Sequence, residues 1–455
     1  MTTNSPPPQG RSRRLHLAVV TVAAATGLAV TAFGLGWDGS SSEANATPTA
    51  RTSAGKAAQA DADLNGDGFA DVVFTSAEDG GPDPSGRFLA VVYGTKNGPD
   101  PDKRAVFTDK DLGVPADEEL DAPYADQPAV ADLDDDGNPD ILFGASGRVL
   151  WGTPDGPQPG KQGKVELPDA GKEYASSAQP VTGDFDGDGH VDLATYDIAD
   201  DGQSNAIAVL NGPFKRDGSP AATAVRDNPM GDEAFLTSGD ANGDKAADLV
   251  VHAVGDDEDA DSTLLTGGAG TDTGLSEKDT RLPEGNQVVF GDFDGDGRRD
   301  IAVGNSGIAN DEDPDGKKVK GWVDVLYGKD PGKPEKIEGG APGEGFGVRL
   351  ATADADGDGV DDLAVQLSAF IPPTSKIQVL HGSSKGLGSK PWRSTKRTTS
   401  DKHYAPELLG AGNYDADGNS EIVLVKSPYL DPKSHWWFTE GTDENDAAFT
   451  TTDFS

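Results

Sequence analysis

The chain has no cysteine among its 455 residues, so a disulfide framework is excluded and the folded part needs another kind of cross-link. Basic residues are scarce as well. The 38 Lys and Arg residues face 79 Asp and Glu residues, which leaves a formal net charge of −41. We therefore expect no nucleic-acid partner, and contact with a membrane only through the N-terminal segment.

Helical periodicity and catalytic motifs are also missing beyond the N-terminus. The six histidines are scattered, and none lies beside Ser, Cys or an acid in a nucleophile motif. There is no Walker loop, no Gly-x-Gly-x-x-Gly phosphate cradle and no His-rich zinc cluster. We interpret His190 as an exposed ring in a loop, and His252 and His381 as packing residues at strand ends. These absences argue against an enzyme.

What the chain has instead is an acidic nine-residue loop, seen most clearly at residues 292–300. Acidic residues occupy positions 1, 3, 5 and 9, and Gly297 at position 6 permits the positive φ of a tight turn. Carboxylates that converge in this way supply the oxygen ligands that Ca²⁺ takes at about 2.3–2.6 Å. Such loops recur every 52 to 69 residues, which indicates a repeat architecture. The seven loops begin at Asp63, Asp132, Asp184, Asp240, Asp292, Asp354 and Asn413.

The residues after each loop predict a strand and not a helix. An EF-hand needs Glu at position 12 and a helix beyond it. Here positions 10 to 12 are mostly apolar and β-branched, as in Ile301-Ala302-Val303. This pattern is typical of a strand that is buried on both faces, so EF-hand and dockerin folds are excluded.

Further strands complete each repeat. A second strand ends in an aromatic or polar residue followed by glycine, as at residues 323–328, and an apolar stretch leads into most loops. With an outer strand such as residues 447–452, each repeat has about four strands. Seven units of this kind favour an all-β fold, a seven-bladed β-propeller with Ca²⁺-binding loops, in which radial closure hides the sheet edges. A linear array is the alternative, although each unit has too few apolar residues to bury a core alone.

Residues 57–455 resemble the FG-GAP (VCBS-type) repeats of the integrin α-subunit head, a seven-bladed Ca²⁺-binding propeller. Phe346-Gly347 before loop six and Gly144-Ala145 after loop two match short elements of that family, which are degraded in most of the other repeats. The resemblance implies that side chains at positions 1, 3, 5 and 9, and the backbone carbonyl of position 7, ligate Ca²⁺ in up to seven sites.

The implied ligands are Asp63, Asn65, Asp67, Phe69 and Asp71 in loop one; Asp132, Asp134, Asp136, Asn138 and Asp140 in loop two; Asp184, Asp186, Asp188, His190 and Asp192 in loop three; Asp240, Asn242, Asp244, Ala246 and Asp248 in loop four; Asp292, Asp294, Asp296, Arg298 and Asp300 in loop five; Asp354, Asp356, Asp358, Val360 and Asp362 in loop six; and Asn413, Asp415, Asp417, Asn419 and Glu421 in loop seven.

Loops four and seven depart from the pattern, so their occupancy is the least secure. Loop four has Lys245 where glycine should stand, and loop seven has Asn413 and Glu421 at its ends. We expect loop four to be the weakest or an empty site. The alternative is that the Lys245 ammonium pairs with Asp240 or Asp248 in place of the ion.

The N-terminal residues have the pattern of an export signal. Arg11, Arg13 and Arg14 precede an apolar run over residues 15–37, and Ala44-Asn45-Ala46 is a small-x-small cleavage motif. The run could also span a bilayer core of about 30 Å. Residues 1–46 are therefore either a signal peptide or a membrane anchor, residues 47–56 a flexible linker, and residues 57–455 the propeller. We expect a secreted or cell-surface protein.

The expected function is a monomeric calcium-binding module that binds a protein or glycan at the cell surface, as in adhesion. A lectin and a glycan-cleaving enzyme are alternatives, because a site gathered from several blades leaves no trace in sequence spacing. Residues 385–402 carry six basic residues and Trp392 against one acid, Asp401. We predict a loop here, which either aids solubility or contacts an anionic envelope polymer or an acidic partner.

Overall fold

The structure is a computed structural model in which all regular structure is β-strand, with no helix among the described residues. It also contains, within those residues, no helix with the length and apolar character needed to cross a bilayer. The predicted signal or anchor, the linker and Gly144-Ala145 lie outside the described part of the chain. The structure describes residues 62–77, 87–114, 128–143, 147–167, 180–198, 205–230, 234–253, 260–285, 287–307, 319–330, 332–367, 374–398, 405–426, 435–440 and 447–450.

The described strands form seven antiparallel sheets, which we call blades one to seven, and in each sheet the strands follow chain order. Blade one contains β1 (Val72–Ala77), β2 (Arg87–Val92) and β3 (Arg104–Thr108); blade two contains β4 (Ala129–Ala131), β5 (Asp140–Phe143), β6 (Arg148–Leu150) and β7 (Gln162–Lys164); blade three contains β8 (Val181–Gly183), β9 (Asp192–Ile198), β10 (Asn205–Asn211) and β11 (Ala222–Asp227); blade four contains β12 (Ala234–Gly239), β13 (Asp248–Ala253), β14 (Ser262–Leu265) and β15 (Thr280–Arg281).

The remaining three blades have four strands each. Blade five contains β16 (Gln287–Gly291), β17 (Asp300–Asn305), β18 (Trp322–Leu326) and β19 (Glu335–Glu338); blade six contains β20 (Phe346–Ala353), β21 (Asp362–Leu367), β22 (Thr374–Leu380) and β23 (Pro391–Thr398); blade seven contains β24 (Glu407–Gly412), β25 (Glu421–Lys426), β26 (His435–Thr439) and β27 (Ala447–Thr450). The predicted outer strand of the last repeat is thus confirmed as β27.

The strand after each loop is buried on both faces, as its composition predicts. Along β17, Ile301 and Val303 pack into the cluster shared with blade four, whereas Ala302 packs into the cluster shared with blade six. Because successive side chains of a strand point to opposite faces, one apolar run serves two interfaces. The continuous apolar runs of the sequence therefore reflect blades sandwiched between two neighbours.

Seven clusters of buried apolar side chains close the ring, one between each pair of adjacent blades. The last cluster joins blade seven to blade one. There the rings of Phe449 and Phe74 stack with centroids 5.9 Å apart, and Trp436 lies 4.9 Å from Phe74. The fold is therefore a seven-bladed β-propeller, as predicted, and the linear-array alternative is wrong.

The prediction of a loop over the basic segment is wrong for residues 391–398. They form β23, the outermost strand of blade six, which pairs along its length with β22. Edge strands commonly carry basic side chains, because charge discourages pairing with another chain. The local reversal of charge thus marks a sheet edge. The last residues of the segment, including Asp401 and Lys402, lie outside the described part.

Candidate metal centres in the strand-connecting loops

Loops two to seven each connect the first strand of a blade to its second strand. Position 9 is the first residue of that second strand, as at Asp140, Asp192 and Asp300. The first strands of adjacent blades contact one another around the centre of the ring. Loops with the same place in every sheet therefore gather on one face of the propeller.

The structure brings the predicted acidic ligands together in loops two, three, five and six. In each of these loops one oxygen from each of three carboxylates lies within 4.8 Å of the other two. Oxygen atoms at this separation can share a single cation. The groups are Asp132, Asp134 and Asp136; Asp184, Asp186 and Asp192; Asp292, Asp294 and Asp300; and Asp354, Asp356 and Asp358.

Backbone hydrogen bonds shape these loops around their carboxylates. In loop five the Gly297 N–H donates to Asp292 Oδ2 over 2.9 Å, and the Arg298 N–H donates to Asp296 Oδ1 over 3.0 Å. The bond from the position-7 N–H to the position-5 carboxylate occurs in all seven loops. The bond from the position-6 N–H to the position-1 carboxylate occurs in the first six. Positions 1 and 5 are thereby oriented by the chain itself.

Two loop positions have left-handed backbone, and sequence reasoning identified only one. Position 6 has the expected positive φ throughout, for example 85° at Gly297. Position 4 also has positive φ in every loop, from 58° at Asp135 and Ala416 to 79° at Gly187. Glycine occupies position 4 in the other loops, so the signal was present in the sequence.

The carboxylate at position 9 also has a structural role. In loop one, Asp71 accepts a bond from the Leu64 N–H at position 2 and another from the Gly94 N–H at the end of the next strand, over 2.8 and 2.9 Å. The same two bonds occur in the first six loops. Each of these six acids therefore links the start of its loop to the end of the next strand along the chain.

This bond explains the glycine that follows the next strand in these six repeats. A Cβ on Gly94 would lie 2.2 Å from the Ala70 carbonyl oxygen, and one on Gly382 would lie 2.1 Å from that of Asp361. Backbone cannot move away as a flexible side chain can. Glycine is needed here because the chain must approach closely to reach the acid.

Burial raises the pKa of these position-9 carboxyls well above their ordinary values. The pKa reaches about 7 for Asp71, Asp192, Asp248 and Asp300, about 6 for Asp362, and about 8 for Asp140 and Glu421. Removal from water is the largest cause in each case, and neighbouring loop carboxylates add to it. A cation bound beside them would favour the charged form.

Several loop oxygens are buried and have no hydrogen-bond partner. They include Oδ1 of Asp134, Asp294 and Asp356 at position 3, and Asn413 Oδ1 and Glu421 Oε1 at the two ends of loop seven. Native proteins rarely leave such atoms unsatisfied unless an ion or water serves them. The donor set is made entirely of hard oxygens, so these residues fit Ca²⁺.

Comparison with known proteins identifies the repeats. Family models match the chain as an FG-GAP-like repeat over residues 132–195 and as an FG-GAP repeat over residues 285–313. Integrin alpha-PS2 of Drosophila melanogaster is 37% identical over 162 residues, which are 33% of this chain and 11% of that protein. The chain carries FG-GAP repeats, and its propeller resembles that of the integrin α subunit.

Other relatives of this FG-GAP propeller differ in kind. Phosphatidylinositol-glycan-specific phospholipase D of Rattus norvegicus is 31% identical over 160 residues, 31% of this chain and 18% of that protein. Neither relative is aligned over as much as a fifth of its own length. Among solved structures, the Dos1 propeller has 12% identity and a TM-score of 0.35, covering 66% of this chain and 62% of that chain. A mutant of AofleA from Arthrobotrys oligospora has 11% identity and a TM-score of 0.33, covering 69% and 84%.

Two FG-GAP loops receive a basic side chain that their own sequences do not contain. Arg216 of blade three contacts Asp134 and Asp136 of loop two, with Nε 2.5 Å from Asp134 Oδ2. Lys329 contacts Asp294 of loop five. Both cationic side chains are largely exposed, so they can move into water when an ion binds. Sequence reasoning missed both contacts because the partners are distant along the chain. Arg216 lies 80 residues from Asp136, and Lys329 lies 35 residues from Asp294.

Loop four keeps the backbone conformation of the other loops although Lys245 replaces glycine at position 6. Lys245 has φ 79°, and its N–H donates to Asp240 Oδ2 over 2.9 Å as glycine does in other loops. No ion pair joins its ammonium to Asp240 or Asp248, both of which the structure describes. The alternative of Lys245 as a resident cation is therefore not supported. The left-handed backbone of Lys245 still lowers the stability of the folded protein.

We predict that Lys245→Gly stabilises the protein by about 1 kcal/mol, since an L-residue in the left-handed region costs about 1–2 kcal/mol. The variant should also bind Ca²⁺ more tightly at loop four, because the nearby positive charge is gone. Urea unfolding with and without Ca²⁺ measures the first effect, and calorimetric titration the second. Lys161→Gly removes the same charge from an exposed site without positive φ and should give neither gain. A Lys245→Gly protein unchanged in both measurements would show that loop four is an inert turn.

Backbone bonds also join consecutive FG-GAP loops. The Ser420 N–H of loop seven donates to the Asp354 carbonyl of loop six over 2.7 Å, and Asp361 of loop six bonds Asp292 of loop five in the same way over 3.0 Å. Equivalent bonds run from loop five to loop four and from loop four to loop three. In each case the acceptor is position 1, a predicted ligand.

Proposed function

We propose that this chain binds Ca²⁺ through its FG-GAP loops and acts outside the cytoplasm as a binding module of the cell surface. The observation that carries the metal proposal is the convergence of three carboxylate oxygens within 4.8 Å in four loops. The likeness to an integrin subunit and the basic and apolar N-terminal pattern support the location. Bound Ca²⁺ would supply charge neutralisation, and the side chains at positions 1, 3, 5 and 9 would hold it.

We place the binding surface of this module on the edge of blade six, which we call the basic edge: Lys385, Lys390, Trp392, Arg393 and Lys396. The three lysines are exposed, and Trp392 is 41% exposed, among the most exposed large apolar residues that the structure describes. The Arg393 guanidinium lies 4.0 Å from the Trp392 ring centroid and donates to the Glu440 carbonyl. That bond holds the cation and the ring together on one surface.

The chemistry of the basic edge favours an anionic sugar polymer. In a chain of net charge −41, a cluster of cations is the surface to which an acidic ligand is attracted. The exposed part of the indole offers an apolar contact for a sugar ring, and the guanidinium that lies over the indole offers a charge for the carboxylate of that sugar. The basic edge therefore fits a uronic-acid polymer better than a neutral glycan.

The test uses polygalacturonate and neutral dextran as probes, with the full chain in Ca²⁺. We expect binding to polygalacturonate only, weakened by added salt. The triple variant Lys385→Gln, Lys390→Gln, Lys396→Gln should bind about tenfold more weakly, because each exposed charge contributes less than about 1 kcal/mol to the binding free energy. The matched control replaces three exposed lysines of blades two and three, Lys161, Lys164 and Lys215, with Gln and should retain binding.

The outcomes separate the possible functions. Equal losses in the two triple variants would show that overall charge, and not the basic edge, attracts the polymer. Binding to dextran that depends on Trp392 would indicate a neutral-sugar lectin. Shortening of the polymer during incubation would reveal an enzyme. No binding to either probe would overturn the assignment of the basic edge.

A further inference from the structure

An imidazole from outside loop six, that of His381, lies among the carboxylates of the loop. His381 follows β22 and directly precedes Gly382, whose N–H donates to Asp362 Oδ1 over 2.7 Å. The His381 Nδ1 atom lies 3.0 Å from Asp362 Oδ1 and 3.6 Å from Asp356 Oδ2. One ligand atom from each of these three residues lies within 4.8 Å of the other two. The packing role predicted for His381 is thus incomplete.

The same place in the other blades shows that this position faces the ion-binding end of the loop. In blade three it is Asn211, whose amide Nδ2 donates to Asp186 Oδ2, the position-3 carboxylate, over 2.7 Å. The equivalent residues of the remaining blades are Tyr93, Trp151, Thr266, Tyr327 and Glu440. Among these seven residues only His381 offers a ring nitrogen with a lone pair for a metal ion.

The donor set of loop six differs from that of an all-oxygen site. Ca²⁺ takes oxygen ligands, whereas imidazole nitrogen favours Zn²⁺, Co²⁺, Ni²⁺ and related ions. Asp362 is fully buried, and Asp356 Oδ1 is buried without a hydrogen-bond partner, so both carboxylates are held ready for a cation. Zn²⁺ accepts both imidazole nitrogen and carboxylate oxygen, and its catalytic sites use three protein ligands with one position left open.

We propose that loop six binds a divalent transition-metal ion of the zinc type, with His381 Nδ1, Asp356 and Asp362 as ligands. In the metal-free protein His381 Nδ1 and Asp362 Oδ1 are in hydrogen-bond contact, and the ion would take the place of that contact. The inference deepens the proposed function, because it rests on the loops being cation sites and assigns one of them to a different metal. Loop six then discriminates among divalent ions where its neighbours do not.

Trp392 gives this site its own spectroscopic signal. The His381 and Trp392 rings pack with centroids 5.2 Å apart at an interplanar angle of 37°. A paramagnetic ion on the imidazole would therefore quench the emission of that indole. Co²⁺ serves as the probe, since it substitutes for Zn²⁺ and has visible absorption bands that respond to a nitrogen ligand.

The experiment titrates Co²⁺ into the full-length protein in the presence of millimolar Ca²⁺. We expect one equivalent to bind with quenching of emission, and the quenching to disappear in Trp392→Phe while binding remains. His381→Asn, which copies the residue found in blade three, should bind Co²⁺ at least about tenfold more weakly and lose the nitrogen-type absorption. His435→Asn is the matched control, because His435 also stacks on an indole, Trp437, at 5.7 Å. It should bind Co²⁺ as the parent does.

Equal Co²⁺ affinity in the parent and His381→Asn, or no Co²⁺ binding at all, would overturn the proposal. These outcomes are distinct from failure of the calcium proposal. If chelation leaves stability unchanged but Co²⁺ still binds through His381, the calcium role fails and this site stands. If Ca²⁺ stabilises both proteins and Co²⁺ does not distinguish them, only the transition-metal assignment fails.

Discussion

Chelation of divalent ions is expected to lower the melting temperature of the protein by roughly 5 °C. At about 1 mM Ca²⁺, a site with a Kd of about 0.1 mM adds about 1.4 kcal/mol to the free energy of unfolding. The three loops other than loop six with converging carboxylates, loops two, three and five, would together contribute about 4 kcal/mol. Thermal scans monitored by circular dichroism, with Ca²⁺ and with excess chelator, measure the shift.

The pH dependence provides an internal control for this result. Without the ion, position-9 carboxyls such as Asp140 have a pKa near 8 in the folded protein against an ordinary 3.8. A raised pKa stabilises the folded state fully below the ordinary value, and that stability is lost as pH rises through the folded pKa. In chelator the protein should therefore melt higher at pH 5.5 than at pH 8. Added Ca²⁺ should raise the melting temperature mainly at pH 8, where the acids are ionised.

Ionic strength separates a specific ion from general screening. An equal ionic strength of NaCl in chelator should recover only a small part of the lost stability, because buried charges are screened little by salt. A melting temperature that is the same with Ca²⁺ and with chelator, at both pH values, would contradict the calcium proposal.

Removal of residues 401–455 is expected to abolish folding of the whole propeller, not of one blade. The truncation deletes blade seven and uncovers Phe74 and Phe88 of blade one and Ile377 and Val379 of blade six. With Val72 and Val92, six large buried side chains would face water at about 2 kcal/mol each. The sum of about 12 kcal/mol equals the net stability of a typical domain, about 5–15 kcal/mol.

The matched control removes a similar length from the other end, residues 1–56, and should leave the melting temperature unchanged. Size-exclusion chromatography and limited proteolysis report the outcome. We expect aggregation and digestion throughout the C-terminally shortened chain. A soluble, protease-resistant product that melts like the parent would show that blade seven is dispensable for the ring.

The architecture could be predicted from sequence because each repeat carries its own complete local signal. The acidic loop fixes where the second strand begins, as at Asp300, and the apolar run of Ile301 to Val303 reveals burial on both faces. Seven copies then leave radial closure as the arrangement that buries every blade. The side chains at positions 1, 3, 5 and 9 that we predict as ligands belong to the same pattern.

Contacts between distant residues could not be predicted in this way. Nothing in the sequence places Arg216 against loop two or His381 between Asp356 and Asp362, because both depend on how strand ends meet after folding. The strand β23 was missed for another reason. Its basic residues favour a solvated loop, but alternate side chains such as Thr395 are buried while Lys396 is exposed, which is the pattern of an edge strand.

The bond between a position-9 acid and the glycine after the next strand, present in six of the seven repeats, suggests how the copies could diverge. Hydrogen bonds link the loop to the strands on either side of it in the sheet, and these strands pack against both neighbouring blades. A substitution in any of them therefore alters the packing between blades. The outermost strand of each sheet pairs with one strand only, and its length ranges from two residues in β15 to eight in β23. Duplicated repeats can therefore vary at the rim while remaining interchangeable at the centre, and a single blade can acquire a new partner without altering the other six.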